Sequence, residues 1–377
     1  VVPAATDSPG HWRDVRRLLQ SRRHELAAVA AGLYPSASRV GSTPLLGRPE
    51  WLPPAPLELD RVSLAWRETA PPGADVTGPA SEGVRPWQAP GRRYASYAGA
   101  LAAIDPPRLL ENRPCYRLLS ASLAGPSPRL ELGRGRYFDG VSTGEAAAHE
   151  LAAAWQEDQN HFPPERLPIR ALLGDPADLP GRVALTAVTT LTLRVPPRGD
   201  PTFLLHWRDP ASVAHAGGLY QAMPVGVFQP ADASPAAERR DFGLWRCMAR
   251  EFSEEFLGTS EDYGALDYER WPFFAALSAA RAAGTLRVCC LGLGVDPLTM
   301  ATDLLVAAVF GSDVFDGLFG GLVAANDEGR VVSWPGMTGI PFTAPVVRRF
   351  AGGGEPMQAA GAAVLELAWR HRGELLG

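Results

Sequence analysis

The chain contains no lysine. All 36 basic residues among its 377 are arginine, which excludes Schiff-base and P-loop lysine chemistry outright. Phosphate or carboxylate recognition therefore falls to arginine forks or backbone N–H groups. Cysteine is scarce: Cys115, Cys247, Cys289 and Cys290 show no C-x-x-C spacing and no metal-ligand pairing. Cys289 and Cys290 stand in an apolar run, as buried thiols of a strand would, and a reducing cytoplasm is the expected compartment. No uninterrupted apolar run approaches the roughly 18–20 residues that span a bilayer. The stretch from Leu26 to Leu33 follows arginines but is too short and too far into the chain for a signal peptide. The net charge of −5 argues against a dominant nucleic-acid footprint. With 46% hydrophobic and 20% charged residues, the profile is globular, and the length allows two or three domains.

Three regions follow from the pattern. Residues 1–34 form an N-terminal helical segment, in which Val15, Leu18, Leu19, Leu26, Val29 and Leu33 predict one helix from Trp12 to Leu33, stopped by Pro35. Residues 35–180 read as an α+β region. It has a strand at Arg61–Arg67, a hairpin over 113–124 and 129–138, and a helix from Gly144 to Gln156 with Ser142 and Thr143 as cap candidates. Asp139, His149 and Glu150 are expected there as cap and solvated-face residues. Residues 181–377 read as α/β. Strands are predicted at 183–195, Phe203–Trp207, 286–293 and 303–310, with a turn from Glu328 into a short strand. Helices are predicted at 272–283 and 356–371.

Between these elements lies Arg250-Glu251-Phe252-Ser253-Glu254-Glu255. At 100° per residue, Glu251, Glu254 and Glu255 share an arc of about 100° on one helical face. Phe242, Trp245, Ala249, Phe252 and Phe256 make the opposite, apolar stripe. Like charges one turn apart cost roughly 0.2–0.5 kcal/mol per pair. A helix that carries them either holds a hard divalent cation on oxygen ligands or presents a solvated acidic face with Arg250–Glu254 as an i,i+4 pair.

In order of elements, residues 183–375 resemble the Nudix superfamily. Its signature, G-x5-E-x7-R-E-U-x-E-E-x-G-U with U aliphatic, is matched by Arg250-Glu251, by Phe252 at the U position and by Glu254-Glu255. Met223-Pro224-Val225-Gly226 looks like the turn that opens the box. The resemblance implies a C-terminal Nudix-like α/β/α sandwich, preceded by the N-terminal helix and the α+β region. It implies Mg²⁺ or Mn²⁺ held by Glu251, Glu254 and Glu255, with Glu251 a ligand or general base and Arg250 orienting the carboxylates. A metal there would polarise a diphosphate and lower the pKa of an attacking water.

The chain departs from that signature in several places. Gly226 to Arg250 spans 24 residues where the family has 14. Phe242 occupies the position of the box's first glutamate. Asp241 is adjacent but about 100° away if the segment is helical, and Gln229 and Glu238 are weaker substitutes. Gly258 falls one residue late, and Val225 replaces a paired glycine. Residues 12–375 also look like actinobacterial proteins labelled transcriptional regulators with a Nudix-like C-terminal part, on His206-Trp207-Arg208-Asp209-Pro210, Gly292–Thr299 and the acidic helix. The lysine-free, Ala/Gly/Pro-rich composition agrees with GC-rich codon usage of that kind. Residues 1–34 show no two-helix DNA-reading pattern, so a DNA-binding module of such relatives is expected before Val1.

Arg208 is a candidate phosphate ligand, Trp207 and Tyr220 are candidate stacking residues, and Gly226 is a candidate substrate contact at the turn; each of the aromatics is equally a core residue. His215 is a candidate pocket residue or plain surface. Asp296, Asp303, Asp313 and Asp316 form no EF-hand loop; one of them is a candidate to complete a metal site. Gly292-x-Gly294 fails the dinucleotide fingerprint at Pro297, and no G-x-S-x-G elbow is present. Two functions follow from the resemblance. One is a metal-dependent hydrolase of a diphosphate-linked nucleotide or similar small molecule. The other is a catalytically silent ligand-sensing domain of a regulator. A small-molecule phosphate or nucleotide ligand and a homodimer are the expected partners; neither membrane nor nucleic acid is.

Overall fold

The computed structural model describes residues 8–107, 110–208, 218–259, 266–322, 325–326, 329–332 and 338–377. Val1, Asp209, Pro210, His215, Gly217 and Glu328 lie outside the described residues.

The N-terminal segment forms two helices rather than one, α1 (Pro9–Ser21) and α2 (Arg23–Gly32). Arg22 separates them with φ −120° and ψ 19°. The break turns two apolar faces onto one partner. Val15 and Leu19 of α1 and Leu26 and Ala30 of α2 pack in one cluster with Ala148, Leu151 and Ala152.

Six strands and three α-helices follow among the described residues up to residue 173. They are β1 (Leu57–Glu58), β2 (Ser63–Trp66), β3 (Trp87–Ala89), β4 (Arg92–Arg93), α3 (Tyr97–Ile104), β5 (Pro114–Ser122), β6 (Arg129–Arg136), α4 (Tyr137–Glu157) and α5 (Pro168–Leu173). β6 pairs parallel with β2 and antiparallel with β5. Helix α4 begins at Tyr137, so Ser142 and Thr143 are interior rather than caps. Thr143 donates its hydroxyl to the Asp139 carbonyl one turn back (2.8 Å), and Ser142 accepts the Ala98 N–H (3.3 Å). Thr143 thus bonds back to the helix carbonyl four residues earlier, and Ser142 ties α4 to α3. His149 and Glu150, expected on a solvated face, are buried. His149 stacks on Trp12 at 5.0 Å, and Glu150 accepts the N–H groups of Ile169 (2.6 Å) and Arg170 (3.1 Å). Asp139 is exposed in the first turn.

The second half runs β7 (Thr186–Val195), β8 (Thr202–Phe203), β9 (Leu205–Arg208), β10 (Tyr220–Ala222), β11 (Val225–Val227), α6 (Pro235–Arg240), α7 (Leu244–Leu257) and α8 (Pro272–Ala282). It continues with β12 (Leu286–Val295), β13 (Thr302–Gly311), α9 (Ser312–Phe319), β14 (Ala325–Asn326), β15 (Gly329–Val332), β16 (Ile340–Pro341), α10 (Ala344–Ala351) and α11 (Ala359–Arg370). The strand expected at Phe203–Trp207 is split at Leu204, because β8 joins β7 while β9 leaves for a second sheet. The larger sheet has seven strands in the order β1-β12-β13-β7-β8-β16, with β11 also on β7. β7 and β13 are parallel along their whole length. The second sheet, β10-β9-β15-β14, is antiparallel.

Strand alternation sorts the large sheet into two faces. Val188, Val288, Leu304, Val306, Ala308 and Phe310 join the core under α7, α8 and α9. Leu191, Leu193, Cys289, Leu291, Leu305 and Ala307 join the core under α10 and α11. Helices thus cover both faces of a mixed sheet. Trp51, Tyr116, Leu118 and Leu130 lie in the same cluster as Phe252, and β1 pairs with β12, so residues on either side of position 180 share one core. Among the described residues, no helix is long and apolar enough to cross a membrane.

Candidate functional site

Helix α7 carries the glutamates. Gly243, extended at φ −168° and ψ 124°, leads into it. Gly258 closes it in the left-handed region at φ 67°, with its N–H on the Glu254 carbonyl (3.0 Å). That conformation favours glycine, which explains Gly258 at this place. Ala249, Phe252 and Phe256 are fully buried, and Phe252 lies 5.3 Å from Phe256 and 5.6 Å from Phe310, ring to ring. Trp245 is half-buried and donates its indole N–H to Ser278 (3.0 Å). Phe242 belongs to the loop before the helix and packs among Trp66, Tyr116 and Phe228.

On the opposite face the helix meets β11. A Cβ at Gly226 would lie 1.8 Å from Cδ of Glu251, so the Glu251 carboxyl occupies the space a side chain would need. The Val225 N–H donates to Oε1 of Glu255 at 2.8 Å, and Glu255 is 6% exposed. Glu251 and Glu254 are half-buried. The Pro-x-Gly turn and the acidic helix are therefore in direct contact despite the long segment between them.

Arg250 draws partners from three other segments. It is buried and donates to the Gln229 carbonyl (2.6 Å) and to the Tyr268 hydroxyl, with Asp241 at 4.0 Å. Burial works against its charge, but Cys247, Tyr268, Asp241 and Glu251 around it raise its pKa above the ordinary guanidinium value. Asp241 is fully buried and accepts the Ala231 N–H (2.8 Å) and the Arg240 fork (2.9 and 3.0 Å). Burial alone would raise its carboxyl; Arg240, Ala231 and Arg250 hold it below the usual range. Because α7 starts at Leu244, a helical offset between Asp241 and Phe242 does not apply. Of the three acceptors weighed for the missing box glutamate, Asp241 approaches the arginine with a carboxylate and Gln229 with its carbonyl. Glu238 instead accepts Arg134 at 2.9 Å. Tyr268 carries no sequence signal of this role; it lies 18 residues after Arg250.

The four candidate substrate residues fall into separate groups. Trp207 and Tyr220 are register partners with rings 4.7 Å apart, and Tyr220 packs 5.4 Å from Phe350 of α10. Gly226 lies with Glu251, on the α7 side. Arg208, next along β9, is half-buried, and its backbone pairs with Leu219 and Gly218. Asp296 accepts the Leu298 and Thr299 N–H groups, Asp303 accepts the Thr189 hydroxyl, Asp313 accepts Ser312, and Asp316 pairs with Arg194. Among the described residues, no three His, Cys, Asp or Glu side chains gather into a metal-binding group. One Glu255 oxygen takes the Val225 N–H, and the Glu251 carboxyl lies against Gly226. No protein-family model matches this chain, and no curated protein matches it.

Proposed function

We propose that residues 181–377 are a Nudix-like α/β/α domain that binds a phosphate-bearing or nucleotide-like small molecule within a cytoplasmic regulatory protein, without metal-dependent turnover. The observation that carries this reading is the contact between α7 and β11. Glu255 takes the Val225 N–H and Glu251 fills the space over Gly226. One of the three carboxylates that the Nudix resemblance assigns to metal thus holds the backbone of the opening turn by a charge-assisted hydrogen bond, and a second packs against that turn. Phe242, in the box glutamate's position, serves an aromatic core. All four cysteines are free and buried, which accords with a reducing compartment.

The metal-dependent hydrolase stays as the second reading on one observation: Glu251, Glu254 and Glu255 share a face beside a buried Arg250. A panel of nucleoside diphosphate-X compounds separates the two, with melting temperature and product release read on the same samples, with and without Mg²⁺ or Mn²⁺. The sensing reading expects a compound that raises Tm without being consumed and with no need of metal. Metal-dependent release of a phosphate product overturns it in favour of the hydrolase.

A further inference from the structure

A cleft of about 630 Å³ opens at the corner where Arg22 separates α1 from α2. Arg17, Arg22, Arg23 and His24 line one side; Gly218 and Leu219, leading into β10, line the other. The volume lies in the range of small-molecule sites, about 300–1,000 Å³. Three arginines and a histidine face Glu25 as the acid of the lining, in a chain whose net charge is −5. Each of the three arginines has a carboxylate partner, Asp14, Glu25 and Glu145 respectively, and the pairs of Arg17 and Arg22 are exposed.

The arginines differ in how they are held. Arg23 is buried and fixed by a two-pronged bond to Glu145, Nη1 to Oε1 at 3.1 Å and Nη2 to Oε2 at 2.9 Å. Arg16 shares the same carboxylate. Arg17 and Arg22 are 71% and 51% exposed and pair only with near neighbours on the same surface, Asp14 and Glu25. Exposed pairs of this kind add little stability, so both guanidiniums can swing to a denser anion at small cost. A fixed cation at the base and two adjustable arginine forks at the rim suit a group with several charged oxygens.

We propose that this cleft is a binding site for a small polyphosphate-bearing ligand, with Arg17 and Arg22 as its adjustable contacts. The site does not depend on the Nudix-like reading of α7 and contains none of its residues. Its concavity favours a small ligand over a nucleic-acid duplex, which needs an open basic surface.

Calorimetric titration of the full chain with tripolyphosphate, metal-free and at low salt, tests it. Wild type is expected to bind, and binding weakens as salt rises. Arg17→Gln/Arg22→Gln is expected to lose at least about tenfold in affinity, while its ligand-free Tm stays close to wild type because both positions are exposed. Gln20→Glu, which adds a carboxylate to the lining, is expected to weaken binding as well. Arg92→Gln, at an exposed arginine outside the cleft, is expected to leave it unchanged. The assignment is overturned by no binding to wild type at low salt, by equal binding in the double variant, or by an equal loss in Arg92→Gln. It is also overturned if a duplex oligonucleotide binds more tightly than tripolyphosphate and is lost in the same double variant.

Discussion

The missing side chain at residue 226 decides how closely the acidic helix approaches β11. Gly226→Ala places a methyl where the Glu251 carboxyl now sits, so the carboxylate or the strand must move. We expect a loss of about 1–3 kcal/mol, the usual range for overpacking, measured by urea unfolding. Glu251→Ala in the same background is expected to recover part of it, a coupling read from the double-mutant cycle. Two buried groups on α4 give opposite pH dependences. Burial, then Arg16, pushes His149 from 6.5 down to about 3. Its neutral form is favoured in the fold, so its contribution is present above pH 6.5 and is lost as pH falls toward 3. Burial pushes Glu150 from 4.5 up to about 7, against the N–H groups of Ile169 and Arg170. Its contribution is full below pH 4.5 and is lost as pH rises through 7. Urea unfolding across this range is expected to show a shallower acid-side decline in His149→Phe, and in Glu150→Gln no decline from pH 4.5 to 7 of the Glu150 kind.

At the scale of elements, apolar periodicity made the long strands and α7 legible, because β12, β13 and the stripe of α7 each bury a face that their spacing defines. It failed where a single residue changes direction. Arg22 splits one helical pattern into two, and Leu204 splits one strand between two sheets. Neither break has a proline or glycine at it to announce the turn. The polar partners of Arg250 were illegible for another reason: Tyr268, Gln229 and Asp241 come from three separate segments. The N-terminal helices depend on one carboxylate, since Glu145 of α4 bonds both Arg16 and Arg23. Glu145→Gln leaves two buried guanidiniums on a neutral amide, and a loss of about 3–5 kcal/mol is expected. The accompanying sign is early proteolytic cleavage between α1 and α2, the helices that Glu145 tethers. Gly258→Ala forces a methyl into the left-handed cap of α7 and is expected to cost about 1 kcal/mol by thermal or urea unfolding.

For the molecule as a whole, the sequence pattern indicated strands and helices in alternation, and the structure layers helices on both faces of a mixed sheet. What spacing alone could not reveal is that β1, Trp51 and β5 close onto the same core as α7. Such long-range packing depends on tertiary proximity, which no local period encodes. The candidate site was legible as a group of glutamates, while the use of those glutamates was not. The Val225 N–H and the bare backbone of Gly226, against which they lie, carry no side-chain signal of it. The most direct measurement compares wild type with Glu255→Gln for both folding stability and Mg²⁺- or Mn²⁺-dependent turnover of nucleoside diphosphate-X compounds. The proposed function predicts no turnover by either protein and a variant destabilised by roughly 1–3 kcal/mol, because the Val225 N–H loses a charged acceptor. Turnover by wild type that the variant loses while keeping its stability would contradict it.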